Sequence, residues 1–296
     1  MSIGQSSARP DVSVIIPHYN QPELARLCLA SLEAQSMARQ DFEIIFVDNN
    51  SETDLSELHT EFPQVYFVTE RKSGAAHARN AGLAVARGRK IAFIDADCIA
   101  DHHWLKNGAQ ALERHFMVGG QVDVTAKAQN APTSVEAFEQ VFAFQQQKYI
   151  NRKRFSVTAN LFVRRDTANQ IGPFSNGVAE DFEWCQRAYT LGIPLVFDAT
   201  TVVSHPARRT WEDLVRKWDR LTIERWNGYC GSSAVRKMIW VGLAFATAFS
   251  SAPHLALVFL SSRISGFKDK LGAARVLIRI RFWRGRRMLS VLSSPQ

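Results

Sequence analysis

Cysteine is scarce in this chain, and what there is lies scattered. The four residues, Cys28, Cys98, Cys185 and Cys230, form no C-x-x-C pair. That argues against a zinc ribbon or a disulfide framework and suits a reducing compartment. Residues 1–10 hold no apolar run, so no cleaved secretory leader is expected there. Neither an internal repeat nor a low-complexity tract occurs. Acid is nearly missing from one stretch only. Residues 263–296 carry nine Lys or Arg against Asp269 alone, which accounts for the whole formal charge of +8. The rest of the chain is balanced, so no nucleic-acid partner is expected of it.

What is present is globular. Apolar residues make up 46% of the chain and charged residues 22%, which leaves no reason to expect general disorder. The length of 296 residues accommodates one large α/β domain and an appendage. Residues 12–17, 42–47, 65–69 and 90–94 are short apolar runs rich in β-branched side chains, read as strands. Helical patterns begin at Pro22, near Glu52 and at Gly74, so strand and helix alternate with tight connections. That order predicts a mostly parallel central sheet covered on both faces, with ligand-bearing loops along one edge. In the second half, helices are expected over 101–116, 134–147, 180–191 and 211–226. Strands are expected over 158–163 and 195–197.

The chain changes character at Met238. Residues 238–260 are 23 positions without a formal charge, long enough to cross a bilayer. Ser250, Ser251, Pro253 and His254 interrupt the run near its centre, and basic residues flank both ends. A re-entrant or interfacial hairpin, a single span and a packed helical pair all remain open. Residues 271–283 interleave Arg with Val, Leu, Ile and Phe, a pattern suited to an anionic membrane surface.

Chemistry concentrates at the ends of the early strands. Asp95-Ala96-Asp97 closes the fourth strand with two carboxylates one residue apart. Such a pair can hold a divalent cation, and the cation can hold a diphosphate. Pro17 and Tyr19 follow the first strand, where a Tyr can stack on a nucleobase or the segment can simply turn the chain. Asp48 ends the second strand and can accept from a base N–H or a ribose hydroxyl, or cap the next turn. Gly74 opens a helix closely approachable by an anion. Arg79, five residues on, can reach a diphosphate or nucleobase, or lie on a solvated face. Glu180 and Asp181 open a later helix, where acids also suit the helix dipole.

Five segments, 12–20 (VSVIIPHYN), 44–51 (IIFVDNNS), 74–82 (GAAHARNAG), 92–97 (AFIDAD) and 177–184 (GVAEDFEW), resemble in order the motifs of family 2 glycosyltransferases. A sixth, Ala159-Asn160-Leu161-Phe162 before Arg164-Arg165, is similar to that family's acceptor-side motif. The resemblance covers about residues 10–230. It implies a glycosyltransferase A-type fold, with a nucleotide-sugar-binding half over 10–120 and an acceptor half over 121–230, whereas the apolar and basic pattern beyond it leads us to expect a membrane-associating helical tail over 231–296. It further implies a nucleotide-sugar donor, first of all a UDP-sugar, and Mn2+ or Mg2+ as cofactor. Asp97 is then the first metal ligand, Asp95 meets the ribose or a metal-bound water, and His205 is a further ligand or a structural residue. Pro17, Tyr19, Asp48, Gly74 and Arg79 bind the donor, while Asn160 and Trp184 face the acceptor, unless Trp184 is core. Asp181 becomes the general base of an inverting transfer, with Glu180 as runner-up.

The processive synthases of that family carry Q-x-x-R-W. Here the segment reads Thr222-Ile223-Glu224-Arg225-Trp226, and several spanning helices are missing. Transfer of a single sugar is therefore expected, to a glycan or lipid-linked acceptor at the cytoplasmic face of the cell membrane. A catalytically inactive nucleotide-binding adaptor and a sugar nucleotidyltransferase are the alternatives.

Overall fold

The structure is a computed structural model that describes residues 9–128, 130–229 and 233–292. Cys230 lies outside the described residues; Cys28, Cys98 and Cys185 are buried free thiols. In chain order the first half runs β1 (Val12–His18), α1 (Pro22–Glu33), β2 (Phe42–Asp48), α2 (Ser56–Glu61), β3 (Tyr66–Thr69), α3 (Ala75–Val85), β4 (Lys90–Ile94), β5 (Ile99–Ala100) and α4 (Trp104–Ala111). The second continues with β6 (Met117–Thr125), α5 (Ser134–Phe142), α6 (Gln146–Lys153), β7 (Asn160–Arg164), α7 (Arg165–Ile171), α8 (Glu180–Thr190) and β8 (Leu195–Pro206). Among the described residues four helices follow: α9 (Trp211–Tyr229), α10 (Ala234–Phe249), α11 (Ser251–Leu260) and α12 (Phe267–Ser290).

The strands form one eight-stranded sheet in the order β3-β2-β1-β4-β7-β6-β8-β5. The expected parallel arrangement holds over β3-β2-β1-β4. Beyond β4 the β4–β7, β7–β6 and β8–β5 pairings are antiparallel. Parallel strands are apolar on both faces because helices cover both. β1 shows this directly, with Val12, Val14, Ile15 and Ile16 all fully buried. One face packs Ile15, Ile45, Ile91 and Phe93 against Ala76 and Ala78 of α3 and Trp184 and Ala188 of α8.

The chain divides into two compact units. The first holds the described residues up to Asp123, with Gln145–Asn176 and Glu180–His205. The second holds Val124–Phe144, Gly177–Ala179 and the described residues from Pro206 onward. Its core joins Val135 and Phe138 of α5, Leu214 of α9, Val258 of α11 and Ala273, Leu277 and Ile280 of α12. Small residues let these helices approach. A Cβ on Gly285 of α12 would stand 2.7 Å from the Ala244 carbonyl oxygen of α10. Thr133 and Glu136 form a reciprocal capping box at the start of α5, which satisfies two otherwise orphaned N–H donors. Buried Glu139 is paired with Arg208 and Lys217.

Several element boundaries differ from the sequence expectation. The helix expected over 134–147 stops at Phe142, because Phe144 takes a left-handed φ of +49°. The short strand expected at 195–197 is the start of a twelve-residue β8. The uncharged run of 238–260 breaks at Ser250 into α10 and α11, bent by 41°. Among the described residues no single helix is long and apolar enough to cross a membrane, although this bent pair passes a length and composition test together.

Candidate active site

Parallel strands β1, β2 and β4 run in register and end together, so His18, Asp48 and Asp95 come to one edge of the sheet. His18 Nδ1 lies 3.3 Å from Asp48 Oδ1. Burial pushes the His18 imidazole below its usual range, against the opposing pull of Asp48. Asp48 also accepts from the Ser51 backbone N–H at 3.3 Å, the turn-capping contact that its position after a strand allows. Its neighbour Asn49 is buried and ties the next two loops together. The Asn49 amide donates to the Glu70 and Lys72 carbonyls, and its oxygen accepts from the Gly74 N–H at 2.7 Å. Gly74 stands at φ +126° immediately before α3, a conformation that L side chains rarely adopt. Tyr19 is exposed, and Pro17 is half-buried.

Arg79 of α3 is buried and engaged from two sides. One guanidinium nitrogen donates to Asp95 Oδ1 and another to Glu180 Oε1, each at 2.9 Å. Burial opposes its charge, but Asp95, Glu180 and Asp181 together hold its pKa above the usual value. The sequence placed Arg79 on a diphosphate or nucleobase. In the structure its fork is taken up by two carboxylates.

Those contacts separate the two acids that open α8. Glu180 is committed to Arg79, whereas Asp181 makes no ion pair among the described residues. Burial pushes the Asp181 carboxyl up to about 7, with the Glu180 charge adding to the effect and Arg79 opposing it. A carboxylate poised there is matched to proton abstraction near neutral pH.

His205 meets Asp97 because antiparallel β5 and β8 align Ile99 with Ser204. Its Nε2 lies 3.2 Å from Asp97 Oδ2. The Asp97 oxygen and the His205 nitrogen are donors that suit Mn2+. Among the described residues no group of three His, Cys, Asp or Glu side chains converges as a metal centre. The donors therefore fit an ion whose remaining positions are filled by substrate phosphates and water, not an all-protein cage. Burial and the neighbouring Asp97 charge both raise the Asp95 carboxyl, against Arg79. A cation beside this pair would relieve that repulsion.

Two residues expected on the acceptor side, Trp184 and Asn160, are buried, which for Trp184 is the core alternative. Trp184 is fully buried; its indole N–H donates to the Gly172 carbonyl at 2.8 Å, and its ring stacks on Phe174 at 4.7 Å. It is core, packed with Phe93 and Phe174 one turn along α8 from Asp181. Asn160 is also fully buried. It accepts from the Trp104 indole N–H and donates to the Gln121 and Thr201 carbonyls, all within 2.9 Å. Neither side chain reaches solvent. The residue beside Asp181 that does reach solvent is Phe182, 42% exposed. It packs edge-on to Phe155 at 5.3 Å, and Phe155 stacks on Tyr149 at 5.0 Å. The Asp181 charge contributes to raising the Tyr149 hydroxyl, after burial, so this aromatic row lies close to Asp181. The exposed Phe in 177–184 was the available signal.

A parallel half-sheet with paired carboxylates at its edge, continued by antiparallel strands, defines an A-type glycosyltransferase fold. Solved structures agree. Mannosyltransferase PcManGT from Pyrobaculum calidifontis, in complex with GDP-Man and Mn2+, matches with a TM-score of 0.60 at 18% identity, over 97% of this chain and 87% of that one. S. aureus TarS 1–349 in complex with UDP-GlcNAc matches with a TM-score of 0.53 at 19% identity, over 94% and 89%. In sequence, the model for Glycosyl transferase family 2 matches residues 13–172. Glycosyltransferase AglE of Haloferax volcanii is 32% identical over 222 residues, 72% of each chain. Poly(ribitol-phosphate) beta-glucosyltransferase of Bacillus spizizenii is 33% identical over 122 residues, 38% of this chain but only 18% of that protein. This chain belongs to glycosyltransferase family 2 and is a glycosyltransferase.

Proposed function

We propose that the chain transfers one sugar from a nucleotide-sugar donor to an acceptor hydroxyl, with inversion at the anomeric carbon. The observation that carries this reading is the division of labour in α8: Glu180 is bound to Arg79, which leaves Asp181 as the carboxylate able to take a proton. Asp181 removes the hydroxyl proton as that oxygen bonds to the anomeric carbon, and the bond from that carbon to the nucleoside diphosphate breaks. Arg79 holds Asp95 and the first turn of α8 in place, so donor edge and base keep a fixed geometry. Tyr19 offers an exposed ring to a nucleobase. Phe182 offers an apolar face to the acceptor. Asp97 and His205 would hold Mn2+ or Mg2+, which supplies positive charge to the leaving diphosphate. The GDP-Man and UDP-GlcNAc of the two structural neighbours make both nucleotides candidates here.

The test is a binding and turnover screen of UDP-, GDP- and dTDP-sugars with and without Mn2+, on the native protein and on Asp97→Ala. Metal-dependent binding of one donor, lost in Asp97→Ala, is the expected outcome. Binding of no nucleotide sugar would sink the reading.

The acceptor side of the proposal is a glycan or lipid-linked molecule at the cytoplasmic face of the cell membrane. Support lies in the outer surfaces of the helical unit. α10 exposes Val235, Met238, Phe245 and Phe249 at helical spacing. The exposed face of α12 alternates Lys268, Leu271, Arg275, Ile278, Phe282 and Arg286. Apolar side chains interleaved with cations suit an anionic bilayer surface. Deleting the tail is a poor test, because α12 carries core residues of its unit. The better variant is Arg275→Glu with Arg286→Glu, both exposed. Loss of co-sedimentation with phosphatidylglycerol vesicles is expected, and unchanged co-sedimentation would refute the docking face.

A further inference from the structure

Arg284 is the one arginine of the helical unit pushed down as far as about 9. Burial is the main cause, and the charges of Arg281 and Arg225 add to it. Its guanidinium carbon lies over the Trp218 ring, 3.6 Å from the centroid. It has no hydrogen bond or ion pair among the described residues, and its Nε is buried without a partner. The indole N–H of that same Trp218 is likewise buried and unpartnered. Arg281 lies one turn before Arg284 on α12; Arg225 reaches the same place from α9 and stacks over Trp240 at 5.8 Å. Neither has a carboxylate partner among the described residues.

This is not how the unit treats its other buried charges. Glu139, 2% exposed, is matched by both Arg208 and Lys217. Orphaned buried donors are rare, and each costs about 1–3 kcal/mol when left unpaired. Three guanidinium groups with no acid between them add mutual repulsion. Water would satisfy the two donors and leave the charges uncompensated. An anion with several acceptor oxygens answers both.

We propose that Arg225, Arg281, Arg284 and the Trp218 indole form an oxyanion site that takes a phosphate group. A phosphate monoester carries between about −1.5 and −2 charges near neutral pH and three acceptor oxygens, and planar guanidinium forks match those oxygens in pairs. The group can belong to a lipid headgroup or to the free ion; the recognition chemistry is the same. The site is defined by residues of the helical unit alone, so it stands or falls independently of the transferase chemistry.

The experiment is an NMR titration of the full-length, 15N-labelled protein, following the Arg Nε–H and Trp218 indole N–H resonances. Two probes are added separately: inorganic phosphate, and dihexanoyl phosphatidic acid below its micelle concentration. Saturable shifts of the Trp218 and Arg284 signals are expected. Arg284→Gln should weaken binding about tenfold or more, the loss expected of one charge-assisted hydrogen bond. Arg225→Gln alters an exposed residue, leaves the fold intact and should weaken binding as well. If phosphatidic acid alone saturates the signals, the site takes a lipid headgroup. If inorganic phosphate does as well, it takes the free ion. The absence of a saturable shift with either probe, or shifts unchanged in Arg225→Gln, overturns the proposal.

Discussion

Two arginines, the buried Arg79 and the half-buried Arg284, one in each unit, stand in opposite circumstances. Arg79 has two carboxylates within 2.9 Å, and they hold its charge in place. Arg284 has an aromatic ring and two arginine neighbours, and its charge is strained. A buried cation held by two carboxylates organises the protein around itself. An unpaired one waits for something from outside. The same distinction separates Glu180, fixed by Arg79, from Asp181, whose carboxyl is pushed up to about 7 and is available for chemistry.

The largest effect should come from the unpaired acid. Asp181→Asn keeps shape and removes the proposed base, so turnover should fall about 10²–10⁴-fold with donor affinity kept. Unchanged turnover would return the role to Glu180. In the native enzyme kcat/KM should rise with pH through about 7. Stability should move the other way. The folded-state pKa of Asp181 is above its unfolded value, so the native protein loses stability as pH rises from about 4 to about 7. Asp181→Asn should therefore be the more stable protein at pH 8, with the difference vanishing near pH 4. Urea midpoints at the two pH values measure it.

Next comes the arginine pair itself. Arg79→Met strands Asp95 and Glu180, and losing one partner of a buried pair costs about 3–5 kcal/mol. Arg284→Met strands no carboxylate. It exchanges a cation–π contact for relief of burial, so its stability should change by only about 1 kcal/mol. Equal losses in the two variants, read from urea unfolding, would erase the contrast between the units.

What the sequence makes legible follows from locality. β1, β2 and β4 are short apolar runs that end on Asp48 and Asp95, so both strand and ligand-bearing edge can be read from neighbouring residues. The Gly74 turn and the acids opening α8 are local in the same sense. Contacts made across the fold are not. Arg79 lies 101 positions from Glu180, and no spacing rule says that its fork closes on carboxylates instead of a ligand. His205 could be named as a candidate, but its 3.2 Å approach to Asp97 depends on the β5–β8 register. β6 was missed because Gly119-Gly120 breaks its apolar pattern. Those glycines are there for close packing: a Cβ on Gly120 would stand 2.2 Å from the Thr201 carbonyl oxygen. The Arg225–Arg281–Arg284 grouping joins two helices, and in the sequence it is only part of a basic tail.

The smallest effect concerns the aromatic proposed to face the acceptor, and it sharpens the division between packed and available side chains within one helix. Trp184 and Phe182 both lie within one turn of Asp181. Trp184→Ala should act on folding, losing about 3–5 kcal/mol, as emptying a large buried site does. Phe182→Ala removes a ring that is 42% exposed, so the fold should hardly notice. A stacked aromatic face contributes about 0.5–1.5 kcal/mol beyond its area, so acceptor KM should rise roughly two- to tenfold. Donor KM should stay put, since the ring lies on the α8 side of the base and not on the β1–β4 edge. A Phe182→Tyr protein restores the face and should recover the native KM. If acceptor KM is unmoved in Phe182→Ala while Trp184→Phe, which keeps the core filled, raises it, then the indole reaches the acceptor after all and the inward packing of Trp184 is not the working state of the enzyme.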